Sequence, residues 1–406
     1  MNVKNILSIV LVFSILLSSF VGITKAISVK NNDNNNPIVY KALLMGVAHY
    51  GYPNDLKGPL NDVETIESAL IKGGFLQENI ITLKDKYKYH AIQELGKLAN
   101  ENTGPDDNDV TIIHYSGHGA RKTVTDPKRE EDNTEEYLVF REDDPFFRDD
   151  QFIDMVINIK GIKIVILDSC YSSGFRDDLE MVYDGTVVLI TAHADDESLS
   201  ESSKLEKGLL SMCIAHGMAT GDNDGVITIG DLINNAQNHF ENKLMNYFGL
   251  TNDYGLRYFP DDLLDLELAN TEISYIKNSP PTLKTPLEKC FSKRGNKVTF
   301  TGEFEDNEND NIDIFISWGD YDYVKIYNND MDPSSDLSVS RVHTYDLERG
   351  ETKEYNYFIL IIDEHGSFDG QEGIIQVTNS LIKSKIKNLF QGFLNFPFNG
   401  IILNIF

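Results

Sequence analysis

A chain of 406 residues that is 41% hydrophobic and 25% charged is long enough for more than one domain and has globular composition, which excludes a wholly disordered protein. A formal net charge of −28 excludes ordinary nucleic-acid binding, because neutralising phosphates needs clustered lysine and arginine rather than a carboxylate surplus. Three cysteines, an odd number, cannot all pair within the chain, so no disulfide framework is expected to hold the fold together.

Residues 1–26 carry a lysine near the start, an apolar stretch from Ile6 to Val21, and small residues at Thr24 and Ala26. This is the pattern of a secretory signal peptide cut near Ala26, and it predicts a secreted or extracytoplasmic, cell-surface protein. The competing reading is an uncleaved anchor, for which the apolar run is borderline in length. A polar, asparagine-rich linker at 27–38 leads into residues 39–270. There YKALLMGVAH, ENIITL, DVTIIHYS, KIVILDS and TVVLITAH are continuous apolar runs, as expected of strands buried on both faces of a mostly parallel sheet. PLNDVETIESALIKGG, HAIQELGKLANE and DDQFIDMVINI repeat apolar residues every three or four positions, the period of a helix with one buried face. Strand and helix in alternation predict a doubly wound α/β fold, whose ligands sit beyond the carboxyl ends of the strands.

Two segments with reactive side chains fall at such ends. TIIHYSGHGAR, residues 111–121, delivers His118, and KIVILDSCYSSG, residues 163–174, delivers Cys170. A thiolate is a strong nucleophile, and imidazole takes and returns a proton near neutral pH, so the pair is sufficient for attack on a carbonyl. Gly119 can present its N–H without side-chain obstruction, and with the N–H of Cys170 it is a candidate oxyanion donor.

Further on, TGDNDGVITIGDL, residues 220–232, has the outline of a calcium loop through Asp222, Asp224, Gly225 and Asp231. It starts with Thr220 and ends on aspartate rather than glutamate, so a turn followed by a helix cap is the favoured reading. Residues 271–286, which include the proline-rich NSPPTLKTP, read as a linker. Residues 287–380 break into short β-rich runs between Asp, Asn and Gly, as in a small antiparallel sandwich. Residues 381–406 are basic, then apolar. Pro397 and Gly400 interrupt them, so a surface-associated or docking tail, with possible membrane or cell-surface contact, is preferred to a spanning helix.

HYSGHG and DSCYSSG, with ALLMGVAHY and DLKGPLNDV ahead of them, resemble the caspase-like cysteine peptidases, particularly the metacaspases, over roughly residues 40–240. The separation of histidine and cysteine matches the roughly fifty residues of the caspase pattern. The resemblance implies a catalytic dyad of His118 and Cys170, with His114 a structural strand residue. It departs from true caspases at Asp168-Ser169-Cys170, where those carry Gln-Ala-Cys. In metacaspases that acid, a second in the LND segment and the serine of SGHG line the specificity pocket; they map onto Asp168, Asp62 and Ser116. Two carboxylates there imply cleavage after arginine or lysine, although Asp62 also reads as an ordinary first-turn helix acid. Many metacaspases use calcium, and Asp149, Asp150 and Asp177 resemble the family's aspartates, with Asp132 and Glu136 as further candidates. A solvated acidic loop is the alternative.

The region 192–208 looks like the family's substrate loop, with Lys204 or Lys207 as candidate self-cleavage points. SWGD, HTYD and IIDEHGS make the C-terminal module resemble PKD-type immunoglobulin-like domains, in which Trp318 would be a packing residue and the module a spacer or contact unit. The resemblance thus implies an endopeptidase acting on peptides or proteins with a basic residue before the scissile bond, most simply as a monomer. The rival readings are a non-catalytic extracellular binding or adhesion protein on the same scaffold and an Asn-specific, legumain-like peptidase.

Overall fold

The computed structural model describes residues 37–124, 133–141, 145–192, 206–219, 227–239, 256–260, 278–327 and 337–379. The signal-peptide segment, Asp132, Lys204, Thr220, Asp222, Asp224, Gly225 and the C-terminal tail lie outside these. No helix among the described residues is long and apolar enough to cross a membrane.

In chain order the α/β unit contains β1 (Tyr40–Gly46), α1 (Pro59–Lys72), β2 (Ile80–Lys84), α2 (Lys88–Leu98), β3 (Val110–Ser116), β4 (Gly119–Thr123), β5 (Thr134–Val139), β6 (Phe146–Arg148), α3 (Asp149–Ile157), β7 (Ile162–Asp168), α4 (Phe175–Val182), β8 (Val187–Thr191), α5 (Leu209–Ala219), α6 (Ile229–His239) and β9 (Arg257–Phe259). The central sheet runs β2-β1-β3-β7-β8-β9. Its first five strands are parallel, and β9 closes the edge antiparallel.

The continuous apolar runs follow from two covered faces. Leu44, Ile112, Ile164, Ile166, Val188 and Ile190 point into one core with α1, α5 and α6. Leu43, Met45, Ile113, Val165, Leu167 and Leu189 point into the other, with α2, α3 and α4. Successive strand residues face opposite ways, so a strand covered on both sides has no polar alternation to show. The sequence reading left out β4-β5-β6, a separate antiparallel sheet whose strands are short and whose outer residues are charged.

The C-terminal unit contains β10 (Thr282–Leu283), α7 (Leu287–Cys290), β11 (Phe291–Arg294), β12 (Lys297–Glu305), β13 (Ile312–Ser317), β14 (Tyr323–Ile326), β15 (Ser338–Thr344), β16 (Thr352–Asp363) and β17 (Phe368–Thr378). One sheet joins β10, β12 and β11 with β15, and the other is ordered β14-β13-β16-β17. Their shared core includes Phe300, Ile316, Ile359, Ile361 and Trp318, which stacks on His343 at 5.0 Å.

This sandwich is docked, not strung on a linker. Along β16, Ile359 and Ile361 face the sandwich core, whereas Leu360 and Ile362 face outward and join Phe315 and Phe368 in the core shared with α1 and α5. The turn between β16 and β17 is wedged there: a Cβ on Gly366, whose φ is +84°, would lie 2.6 Å from Ala215 and 2.8 Å from Thr65. Polar contacts ring the apolar patch. Lys72 Nζ pairs with Asp310 at 2.6 Å, Ser68 Oγ lies 2.7 Å from His365 Nδ1, and the Phe368 N–H donates to His216 Nδ1 at 3.3 Å.

A shared core couples the two units in unfolding. Leu360→Ala is expected to cost about 3 kcal/mol, the usual range for a fully buried leucine. The denaturation curve followed by Trp318 fluorescence, the one tryptophan, is expected to shift together with the curve followed by far-UV circular dichroism.

Candidate active site

The register of the central strands sets the site. Gly46 pairs with Ser116, and Ser116 with Asp168, so the carboxyl ends of β1, β3 and β7 lie in one row. His118 and Cys170 each follow two residues beyond that row.

Both glycines around His118 are demanded by packing. A Cβ on Gly117 would sit 2.6 Å from the hydroxyls of Tyr50 and Tyr115. One on Gly119 would sit 1.8 Å from the Cys170 carbonyl oxygen and 3.1 Å from its nitrogen, so the histidine and cysteine segments meet backbone to backbone. Gly119 opens β4 opposite Leu138, and the ladder bond beside it runs from Val139 N–H to His118 O at 3.0 Å. Gly119 is therefore in a non-hydrogen-bonded pair and directs its own N–H away from β5.

The His118 ring is held from several sides. Its Nε2 lies 2.9 Å from the Asn54 carbonyl, which can only accept, so Nε2 carries a proton and the neutral ring keeps its lone pair at Nδ1. Tyr50 packs its ring against the imidazole at 4.5 Å, accepts the His118 N–H at 2.9 Å and donates to Val139 O at 3.0 Å. Burial keeps both Tyr50 and Tyr115 in the phenol form. Cys170 is half-buried and in no disulfide, and Tyr171 after it is left-handed at φ 58°, a sharp turn into the loop before α4. Cys213 and Cys290 are buried, and burial raises the thiol pKa of each.

Asp62, Ser116 and Asp168 come together beside this pair. Asp62, in the first turn of α1, is 1% exposed and accepts from Ser116 Oγ at 2.6 Å and from the Gly208 N–H at 2.8 Å. Burial, and then the charge of Asp168, push its pKa up to about 8. Asp168 is raised by burial as well, while its Oδ2 accepts from Ser211 N at 2.8 Å and Ser211 Oγ at 2.7 Å. Both carboxylates converge on Gly208, where a Cβ would fall 2.2 Å from Asp168 Oδ2 and 2.8 Å from Asp62 Oδ2. Sequence reasoning missed Gly208 and Ser211 as pocket residues. Their signal was the short "KGLLS" at the start of an apolar helix. His114 is fully buried, its pKa is pushed down to about 3 by burial, and its Nε2 lies 2.9 Å from Ser211 Oγ; it braces the pocket as a neutral ring. Lys207 donates to Thr65 Oγ1 at 2.6 Å, beside Asp62.

Of the three aspartates expected to bind metal, Asp149 and Asp150 open α3 and group with Glu135, their carboxylate oxygens lying within 4.8 Å of one another. Asp177 is outside this group, half-buried on α4, and its neighbour Asp178 is fully buried. Asp149 accepts from the Glu136 N–H at 2.6 Å. Arg148 pairs with Glu135 and, at 2.8 Å, with Asp150. Asp150 Oδ1 is buried with no hydrogen-bond partner, and an all-oxygen donor set with one orphaned acceptor fits a hard cation. The Glu136 side chain packs on Gly174, where a Cβ would lie 2.5 Å from it, and so links this cluster to the Cys170 loop. Asp231, by contrast, exchanges hydrogen bonds with Thr228 at the start of α6, accepting at 2.7 and 3.0 Å and donating at 2.9 Å. It is a helix cap, as the sequence favoured.

The family described as Caspase domain matches residues 40–255, just over half of the chain. Metacaspase-1 of Candida albicans is 30% identical over 227 residues, covering 49% of this chain and 45% of that protein. Metacaspase-4 of Arabidopsis thaliana is 33% identical over 177 residues, 41% of each chain. The chain thus spans under half the length of these curated relatives. Among solved structures, caspase-1 from Spodoptera frugiperda aligns over 57% of this chain and 88% of its own, at 9% identity and a TM-score of 0.38.

The Asp62 shift yields a pH dependence. A carboxyl raised to about 8 in the fold from an unfolded value near 3.9 favours folding while protonated, and that contribution is lost as pH rises from about 4 to about 8. Asp62→Asn is therefore expected to gain stability relative to the unsubstituted protein across that window, read as a melting-temperature difference that widens from pH 5 to pH 8.

Proposed function

The chain belongs to the caspase-domain family, and from that membership we propose that it is an exported cysteine endopeptidase that cleaves after arginine or lysine. The observation that carries the reading is the contact of Gly119 with the Cys170 backbone, which joins an imidazole-bearing strand end to a thiol-bearing one. His118 Nδ1 takes the thiol proton, because its Nε2–H is committed to Asn54. Cys170 Sγ forms a bond to the substrate carbonyl carbon, and the N–H groups of Cys170 and Gly119 receive the oxyanion. Collapse breaks the C–N bond, His118 returns the proton to the departing amine, and a thioester remains. Water, deprotonated by the same ring, then releases the acid and restores the thiol.

Asp62, Ser116 and Asp168 select the substrate side chain. Two carboxyls with raised pKa values, Asp62 buried and Asp168 half-buried, gain when a guanidinium or ammonium enters, because the cation restores the charged form that desolvation disfavours. Glu135, Asp149 and Asp150 would hold a calcium ion, which supplies positive charge against their mutual repulsion. Glu136, held by Asp149 and packed on Gly174, carries the order of that cluster to the nucleophile loop. The protein acts as a monomer.

Fluorogenic peptides differing only in the residue before the cleaved bond test the reading. Turnover is expected with arginine and lysine and not with aspartate or asparagine, and Cys170→Ala is expected to abolish it. Asp168→Asn is expected to lower kcat/KM on the arginine peptide about a hundredfold, the scale of one charge-assisted contact in a desolvated pocket. Preference for asparagine would favour a legumain-like specificity, and no thiol-dependent turnover would leave a binding protein. Asp150→Asn is expected to remove calcium stimulation of the rate, and calcium binding seen by titration calorimetry, while activity without calcium persists.

A further inference from the structure

Glu206 adopts φ +56°, a left-handed conformation that is strained for a non-glycine residue and persists only where its surroundings hold it. Its surroundings come from both units. Its Oε1 accepts from Lys57 Nζ at 3.3 Å, and its backbone carbonyl accepts from Asn61 Nδ2 at 2.8 Å, both at the entry to α1. Its Oε2 accepts from Tyr327 Oη at 2.6 Å and from Lys325 Nζ at 3.5 Å, both on the sandwich side. Burial works to raise the carboxyl pKa, but these partners together, the Tyr327 hydroxyl most of all, outweigh it and hold the group below its ordinary value. Two residues on, the Gly208 N–H binds Asp62, and the Gly208 Cα sits between Asp62 and Asp168. Lys207, between them, lies beside Asp62.

We propose that Glu206 is a positioning residue through which the C-terminal sandwich, by Tyr327 and Lys325, sets the floor of the substrate side-chain pocket. The sandwich is in this sense part of the enzyme's specificity apparatus. A carboxylate clamped at both oxygens fixes the chain direction entering Gly208, and only a fixed Gly208 can donate to Asp62 while its Cα fits between the two acids. The pocket's geometry is thereby tied to a module whose sheets lie on the far side of α1. The consequence for substrate rests on the basic-pocket reading above; the clamp itself does not.

The test uses the full chain carrying Tyr327→Phe, which removes one hydroxyl from a partly exposed ring, and Glu206→Ala, with Glu206→Gln as the conservative variant that keeps an acceptor for Tyr327. Hydrogen–deuterium exchange of the peptide spanning residues 206–212 reads the clamp without any turnover. Exchange at Gly208 is expected to quicken about tenfold in Glu206→Ala and less in the other two. KM for the arginine peptide is expected to rise about fivefold in Glu206→Ala with kcat unchanged, and Glu206→Gln is expected to recover part of it. Unchanged exchange in all three variants would overturn the clamp. Faster exchange with unchanged KM, or kcat and KM altered together, would overturn its role in specificity. A parent protein without thiol-dependent turnover would reject the peptidase reading instead, while the exchange data still decide whether the sandwich holds Gly208.

Discussion

The site depends on one close approach: the Cys170 carbonyl lies where a side chain on Gly119 would have to be. Parallel pairing brings β3 and β7 to the same row, but strand pairing alone leaves the loops beyond it free to diverge. The absence of a Cβ at Gly119 lets the two loops touch, and the Tyr50 and Tyr115 hydroxyls packed over Gly117 keep the histidine backbone in line. The segments that carry the thiol and the imidazole are thereby held side by side. Glycine is required here for space, since each neighbouring atom is backbone or a buried phenol that cannot yield.

The same strand ends carry the electrostatic burden. Two carboxyls largely withdrawn from water, Asp62 wholly and Asp168 in part, repel each other, and the fold accommodates them by supplying donors: Ser116 and Gly208 to Asp62, Ser211 to Asp168, with Lys207 near the first. Hydrogen bonds lower the cost of burying each acid but do not cancel it, which is why both pKa values remain raised. The donors to this pair come from β3, α5 and residues 206–208 before α5, so its shape is a property of several elements at once.

Residues 206–208 also join the α/β unit to the sandwich, through Glu206 and Tyr327. Leu360, Ile362, Phe315 and Phe368 turn an outer sheet face into part of the core over α1 and α5, and the ion pair of Lys72 with Asp310 fixes the orientation at the rim. α1, which supplies Asp62 at its first turn, is therefore covered on one side by the central sheet and on another by the sandwich. Rigidity at Asp62 is shared between the units.

The sequence by itself determined what depends on local pattern. Continuous apolar runs gave the buried parallel strands, periodic ones gave α1, α2 and α3, and chemistry at the strand ends singled out His118 and Cys170, whereas Asp62, Ser116 and Asp168 were picked out only through the resemblance to metacaspases. A turn and helix cap near Asp231 was legible in the segment 220–232, and the structure supplies its partner in Thr228, three residues earlier. Tertiary structure alone decided the rest. Gly208 and Ser211 meet Asp62 and Asp168 only after the chain has folded over α1, and no spacing encodes that. The run YFILIID fits any sandwich strand until Leu360 and Ile362 find a second surface to cover. The grouping of Glu135 with Asp149 and Asp150, leaving Asp177 aside, came from pairing Tyr137 with Arg148 across β5 and β6, two strands too short and too charged to announce themselves. Sequence records the period of each element, whereas contacts between distant elements arise from burial, which only the completed packing defines.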